Sequence, residues 1–415
     1  MNSYSEQMLG ALSDNDLVEA QLKFEQALRS DEPDVLSQLG EQLLGAGFLE
    51  EAAIVFEQLL ETFPEELGLN IPLAEIAIEN GEMETAFDFL EKIPNDHPSY
   101  VESLLVTADM YQMMGVPEVS EKKIKEAQSL MPNEPILILA LAELYYASDK
   151  FVEAIAIYEE LLAKDKRESL EINLYERIGS SLSMIGEFEE AIPYLEHALE
   201  DEQTDQRLFL LGVTYIQLGE REKAISHLQQ LQVLNPSFEA VYLPLASAML
   251  DEDLLTEAEL IMTEGLKQNP YAIDLYHLAS DNAYRLGKIA EAEEFMRKAV
   301  NLEEDKEFSL IKLSNILLAD ERFEEVVETL TGLESSNQPH ANWSLAQAYN
   351  GLEDFKLAAE NYDKAAEGLA HEPDFLKDYG LFLRAEGRIE EASHMLTHYL
   401  EHVPGDIEIY HLLEE

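Results

Sequence analysis

The stretch Leu208–Pro236, LFLLGVTYIQLGEREKAISHLQQLQVLNP, reads as two short helices joined by a tight turn. Gly212 and Ala224 are small residues twelve apart, placed where two helices can cross, and only short side chains allow close approach there. Leu228 lies one turn beyond Ala224 on the same face and fills the groove beside the crossing. Gly219 ends the first helix, because glycine takes the left-handed conformation that a C-cap needs. Pro236 stops the second helix.

Moving outward in both directions, the same unit returns. Ala224 heads a walk over Ala20, Ala52, Ala86, Ser120, Ala154, Ala191, Ala224, Ala258, Ala292, Val326, Ala358 and Ala392, with steps of 32, 34, 34, 34, 37, 33, 34, 34, 34, 32 and 34. Four residues after each comes a large apolar residue, among them Phe56, Leu195, Met296 and Tyr362. Twelve before each lies a small residue, such as Gly40, Ala74, Gly179 and Gly380, with Met8 as the exception. Five before it, Gly47, Gly81, Gly115, Gly186, Gly219, Gly287 and Gly387 repeat the turn signal, and Asn15 can replace it in the first unit. Twelve after it, Pro64, Pro98, Pro132, Pro236, Pro270 and Pro404 repeat the stop.

This unit resembles the tetratricopeptide repeat, whose period is 34. Leu208–Pro236 matches that pattern at nearly every marker, and Leu39–Pro64 and Asn342–Ala365 match it well. Twelve repeats are expected, starting near residues 1, 33, 67, 101, 135, 172, 205, 239, 273, 307, 339 and 373, with Ile407–Glu415 beginning one more helix that caps the last apolar face. The resemblance implies an all-α, right-handed superhelical solenoid over residues 1–415. The longer step, in KDKRESLEI at 164–172, marks a possible division into 1–170 and 171–415. Repeats 10 and 11 carry Glu321 and Glu353 where glycine is usual, and repeat 10 carries Val326 for alanine, so this part is expected to be less regular.

Charge narrows the partners. The net charge is -58, from 85 acidic against 27 basic residues. Residues 1–100 hold only Lys23, Arg29 and Lys92 against 22 acids, a net of -19. Such a field repels phosphate backbones and anionic lipid headgroups and attracts a basic protein segment. It also keeps a long particle soluble, which favours a monomer. There is no cysteine, so disulfides and thiolate chemistry are excluded. Residues 1–20 have no basic start followed by an apolar run, and no stretch is long and apolar enough to span a membrane, so a cytoplasmic, bacterial protein is expected. With repeats starting at the first residues, no segment of other function is expected ahead of them.

In proteins of this family the first helix of each pair lines the concave face. Positions 5, 9 and 12 of each repeat form one stripe there, since residues three, four and seven apart share a helix face. Position 9 gives a carboxylate ladder, Glu41, Glu75, Asp109 and Glu143. Apolar and aromatic residues on the stripe include Tyr146, Phe209, Ile216, Leu243, Tyr284 and Trp343. These ten are the candidate partner-binding residues, for a segment that is apolar on one side and carries Lys or Arg on the other. Some family members grip a C-terminal carboxylate with a set of cations and an asparagine. Asn315 occupies that position here, but only Lys312 is nearby.

No phosphate loop, nucleophile elbow or dinucleotide fingerprint occurs. His394, His398 and His402 recur every four residues on the last repeat's second helix, a spacing that can hold a divalent metal. Exposure and the helix dipole explain them equally well, and no native metal site and no cofactor are expected. The function expected is a non-catalytic scaffold for protein partners. The alternatives are a regulatory protein that senses a short peptide and a hydrolase or phosphatase-like enzyme with its active site in the groove.

Overall fold

A computed structural model describes residues 3–164, 170, 172–302, 306–331 and 338–414. The helices gather into two compact units, Met1–Gln203 and Thr204–Glu415. In the first, α1 (Tyr4–Ser13) pairs with α2 (Leu17–Ser30), α3 (Pro33–Gly45) with α4 (Leu49–Thr62), and α5 (Asn70–Glu79) with α6 (Met83–Leu90). α7 (Tyr100–Met113) follows with α8 (Pro117–Leu130), α9 (Pro135–Ala147) with α10 (Phe151–Ala163), and α11 (Leu174–Met184) with α12 (Phe188–Asp201). In the second, α13 (Asp205–Leu218) pairs with α14 (Arg221–Leu234), α15 (Tyr242–Asp251) with α16 (Leu255–Gln268), and α17 (Ile273–Arg285) with α18 (Ile289–Leu302). α19 (Glu307–Ala319) pairs with α20 (Phe323–Leu330), α21 (Pro339–Gly351) with α22 (Phe355–Leu369), α23 (Pro373–Ala385) with α24 (Ile389–His402), and α25 (Ile407–Glu414) closes the array. Among the described residues there are twelve helix pairs and one further helix, as the repeat predicts. We call the first helix of each pair A and the second B.

The crossing of A on B is as close as the small residues require. A Cβ added to Gly40 would come within 2.7 Å of the Phe56 ring, and one added to Gly212 within 2.7 Å of the Leu228 side chain. Gly179 and Gly380 stand in the same relation to Leu195 and Leu396, each at 2.6 Å. Every member of the alanine walk, with Ser120 and Val326 included, is 2% exposed or less. Close helix approach multiplies dispersion contacts, so these buried faces supply most of the cohesion within each pair.

The A–B turns all share one geometry. The seven glycines that mark them have φ between 73° and 86°. Asn15 joins them at 57°, and so do Asp149, Asp253, Glu321 and Glu353 at 55–60°. The hydrogen bonds are the same with or without glycine. The amide after the turn residue returns to the carbonyl five positions back, from Glu220 to Tyr215 at 2.9 Å and from Asp354 to Tyr349 at 2.9 Å. Glu321 and Glu353 therefore do not disorder their turns. Repeat 10 has a short B helix, α20, of 8 residues, as repeat 3 does in α6, where α14, α16, α18 and α24 have 14. Most of the long turn at 164–172, residues 165–169 and 171, lies outside the described residues.

The ends are fixed locally. Pro33, Pro135, Pro339 and Pro373 occupy the first turn of α3, α9, α21 and α23, where the missing N–H costs nothing. α25 buries Ile409 against Leu376, Leu396, Tyr399 and Leu400, so the last repeat's apolar face is covered. Asp406 anchors that helix, accepting from Lys377 Nζ at 2.8 Å, Tyr399 Oη at 2.9 Å and the Ile409 amide at 3.3 Å. The Lys377 bond first and the Tyr399 bond next hold its carboxyl down at about 2.

The turns make a clean stability test. Nothing lies within 4 Å of a Cβ built on Gly219, so Gly219→Ala carries only the backbone cost of a side chain at positive φ, about 1 kcal/mol. Glu353→Gly is expected to raise the unfolding free energy by up to about 1 kcal/mol, and the urea midpoint with it, because it relieves the same strain. A lower midpoint for Glu353→Gly would contradict the turn assignment.

Candidate functional site

The A helices of the first unit carry position 9 on an open face, one carboxylate per helix. A groove of about 850 Å³ runs over α3 and α5 as far as Glu102 of α7, lined by Glu41 and Leu44, Ile71 and Glu75, and Phe63 from the intervening segment. A hollow of about 510 Å³ shares Leu44 and Glu75 with it and continues to Val106, Asp109 and Met113 on α7. The structure thus brings Glu41, Glu75 and Asp109 together along one channel with an apolar floor. Positions missed by the 5–9–12 stripe add Asp34, Glu66, Glu79 and Glu102 to its walls. Glu102 was open to detection, since it sits two turns before Asp109 on the same helix and so on the same face.

Seven carboxylates line this channel, and among the described residues no Lys, Arg or His does. Most first-unit cations are held elsewhere, as in the pairs Lys23–Glu19, Lys123–Glu126, Lys125–Glu121 and Lys164–Glu160. Glu41, Glu75 and Asp109 have no cationic or hydrogen-bonding partner among the described residues. Burial pushes the Glu75 carboxyl above its usual range, and the Glu102 and Asp109 carboxylates push it further. Burial raises Asp109 as well. Charge on these groups therefore opposes folding. Their contribution to stability is best at low pH, below the ordinary carboxylate range, and is lost as pH rises through the raised folded-state values.

The fourth rung is different. Glu143 on α9 accepts from Arg177 of α11 at both oxygens, Nε to Oε1 at 3.0 Å and Nη2 to Oε2 at 2.9 Å, and from the Tyr158 hydroxyl at 2.6 Å. The same guanidinium lies over the Tyr146 ring at 5.0 Å, and the Tyr146 hydroxyl meets Ser180 Oγ at 2.9 Å. Glu143 and Tyr146 thus join one repeat to the next across 34 residues, and the uncompensated ladder ends at Asp109. Such partners, one period apart, are visible in the sequence only to a reading that compares equivalent positions of neighbouring repeats.

The second unit's candidates are more scattered. Trp343 donates its indole N–H to Asp378 at 2.6 Å, a carboxylate that also accepts from Gln347 at 2.9 Å and Tyr362 at 2.8 Å. Trp343 is therefore tied to the following A helix. Phe209 packs against Phe238 with the rings tilted at 51° and centroids 5.4 Å apart, and Ile216 is half-buried. Leu243 and Tyr284 are 39% and 45% exposed, and Tyr284 lines a hollow of about 420 Å³ with Arg285, Lys312 and Asn315. Both cations there are engaged, Lys312 by Asp281 at 2.7 Å and Arg285 by Asp253 at 2.7 Å, so neither is free to clamp a carboxylate.

Comparison with known proteins places the chain. The models "YpiA-like, C-terminal tetratricopeptide repeats" and "YpiA-like, tetratricopeptide repeats" match residues 339–406 and 112–166, and general tetratricopeptide models match 186–247 and 273–306. The "TPR repeat-containing protein YpiA" of Bacillus subtilis (strain 168) is 33% identical over 381 residues, covering 91% of this chain and 89% of its own. The chain belongs to the YpiA-like tetratricopeptide repeat family. A bacterial source fits this relative. The channel's repeats, within 7–115, match the model "Tetratricopeptide repeat protein 21 ARM repeat". The mouse "Tetratricopeptide repeat protein 21B" is 28% identical over 187 residues, 43% of this chain and 14% of that protein. The solved structure of "APC/C hetero-tetramer Cut9-Hcn1" is 13% identical, with a TM-score of 0.42, covering 98% of this chain and 95% of its own. In this YpiA-like chain no described helix is long and apolar enough to cross a membrane.

Two outcomes follow for the purified protein. Glu75→Gln raises the melting temperature near pH 7, and the gain shrinks as pH falls below the ordinary carboxylate range, where the carboxyl is protonated in the unfolded chain as well. Arg177→Ala lowers stability by about 1–2 kcal/mol at neutral pH, since Glu143 loses its bidentate partner at a site that water partly screens. Equal stability of wild type and Glu75→Gln at neutral pH would show that the channel is not self-repelling.

Proposed function

We propose that this protein is a non-catalytic scaffold that holds a basic, amphipathic segment of a partner protein in the acidic channel over α3, α5 and α7. The observation that carries this reading is the channel's charge: seven carboxylates and, among the described residues, no cation on an apolar floor. A segment with Lys or Arg on one side and apolar residues on the other relieves the repulsion from Glu102 and Asp109 that adds to burial in raising the Glu75 carboxyl. Met113, 61% exposed at the channel's far end, offers an adaptable apolar contact. The family supports an interaction role, because stacked repeats present extended surfaces for partners. A cytoplasmic setting and a monomer accord with this reading.

The ladder also sets a spacing for the partner. Neighbouring packed helices lie about 8–10 Å apart, so successive carboxylates recur at about that interval. A partner helix crossing the A helices rises about 1.5 Å per residue and meets one rung about every five to seven residues. The favoured ligand is therefore a helix with basic residues at about heptad spacing on one face and apolar residues beside them.

The test is capture of partners from a bacterial lysate by the wild type and by the triple variant Glu41→Gln, Glu75→Gln, Asp109→Asn, at low and moderate salt. Captured proteins are expected to share a basic amphipathic segment. Isolated as peptides, these segments should bind the triple variant about ten to a hundredfold more weakly, at about 0.5–1 kcal/mol per lost charge. Equal capture and equal affinity for both proteins would remove the channel from the account.

A further inference from the structure

The fold brings His371 to two histidines that the sequence already sets together, His398 and His402. His398 and His402 stand one turn apart on α24, and His371 comes from the turn between α22 and α23. One ring nitrogen from each lies within 4.8 Å of the other two. The ring centroids are 5.7 Å apart for His371 and His398 and 5.3 Å for His398 and His402. His398 is half-buried, while His371 and His402 are open to solvent. His394, the other member of the four-residue run, is exposed and lies outside this cluster.

The position of His371 is held by its turn. The Glu372 amide returns to the Leu369 carbonyl at 3.0 Å, and Pro373 opens α23 immediately afterwards. The carboxylate of Glu401 lies 3.8 Å from His398 Nε2 and adds negative charge beside the cluster. Tetrahedral coordination with metal–nitrogen bonds of about 2.0–2.1 Å needs nitrogens about 3.4 Å apart. His371 and His402 are exposed, so their side-chain torsions are the ones left to close that difference.

We propose that His371, His398 and His402 form a binding site for a borderline-soft divalent metal of the zinc and nickel class. Three imidazoles suit such ions and leave one coordination position open for water or a partner's ligand. Magnesium and calcium, which prefer oxygen donors, are poor fits. Because the ligands come from α24 and from the turn before α23, the ion ties together both ends of the last helix pair. It therefore stabilises the folded chain by binding it and not the unfolded one.

The test uses the full-length chain without an affinity tag, titrated with Zn²⁺ by calorimetry and with Co²⁺ by visible absorption. One ion per chain is expected, with the intense absorption of four-coordinate Co²⁺ and a rise in melting temperature on adding Zn²⁺. His371→Gln and His398→Gln should each weaken binding tenfold or more and abolish the rise in melting temperature, while His394→Gln should leave both unchanged. Circular dichroism of the metal-free variants separates loss of a ligand from loss of fold. Unchanged affinity in His371→Gln would reduce the cluster to a chance pair on one helix, and displacement of Zn²⁺ by equimolar Mg²⁺ would overturn the ligand assignment.

Discussion

The close crossing of each A helix on its B helix is the constraint from which the rest follows. At Gly40, Gly179, Gly212 and Gly380 the facing side chain occupies the space a Cβ would need. That crossing fixes which face of each A helix is buried, and so which residues remain open. In the first unit the open face carries Glu41, Glu75 and Asp109 at the same position of three successive repeats. The carboxylate ladder thus follows from the packing of the residues just before it, Gly40, Ala74 and Ala108.

Charge acts on this framework unevenly. Where a cation is available one repeat away, as Arg177 is to Glu143, the ladder's rung becomes a stitch between repeats. Where none is available, the carboxylates repel one another, and burial raises Glu75 and Asp109. A surface that is electrostatically unfavourable alone and relieved by a cation is matched to a partner rather than to the solitary chain. In the second unit the corresponding polar groups are largely satisfied internally, with Asp378 accepting three side-chain donors.

Much of the fold was legible because a 34-residue period constrains every repeat at once. The A helices begin within three residues of the expected starts. At 67 and 239 the difference is a single turn of tighter helix, Leu67–Leu69 and Glu239–Val241, that takes the first three residues. Glu321 and Glu353 misled because composition says nothing of how well a turn's hydrogen bonds can hold a non-glycine residue at positive φ. The channel was legible in part. Its position-9 acids followed from helix periodicity, whereas the neutralisation of Glu143 and the approach of His371 to His398 depend on contacts between segments. Those distances are set by the turns and stacking, which no single helix encodes.

The proposed partner lies over the A helices of the three channel repeats, α3, α5 and α7. Hydrogen exchange of the full-length chain, with and without a captured basic amphipathic segment, measures this most directly. The account predicts slowed exchange in 33–45, 70–79 and 100–113, diminished in the variant with Glu41, Glu75 and Asp109 neutralised. Slowed exchange confined to 242–251, 273–285 and 307–319, with no change over the acidic channel, would contradict it.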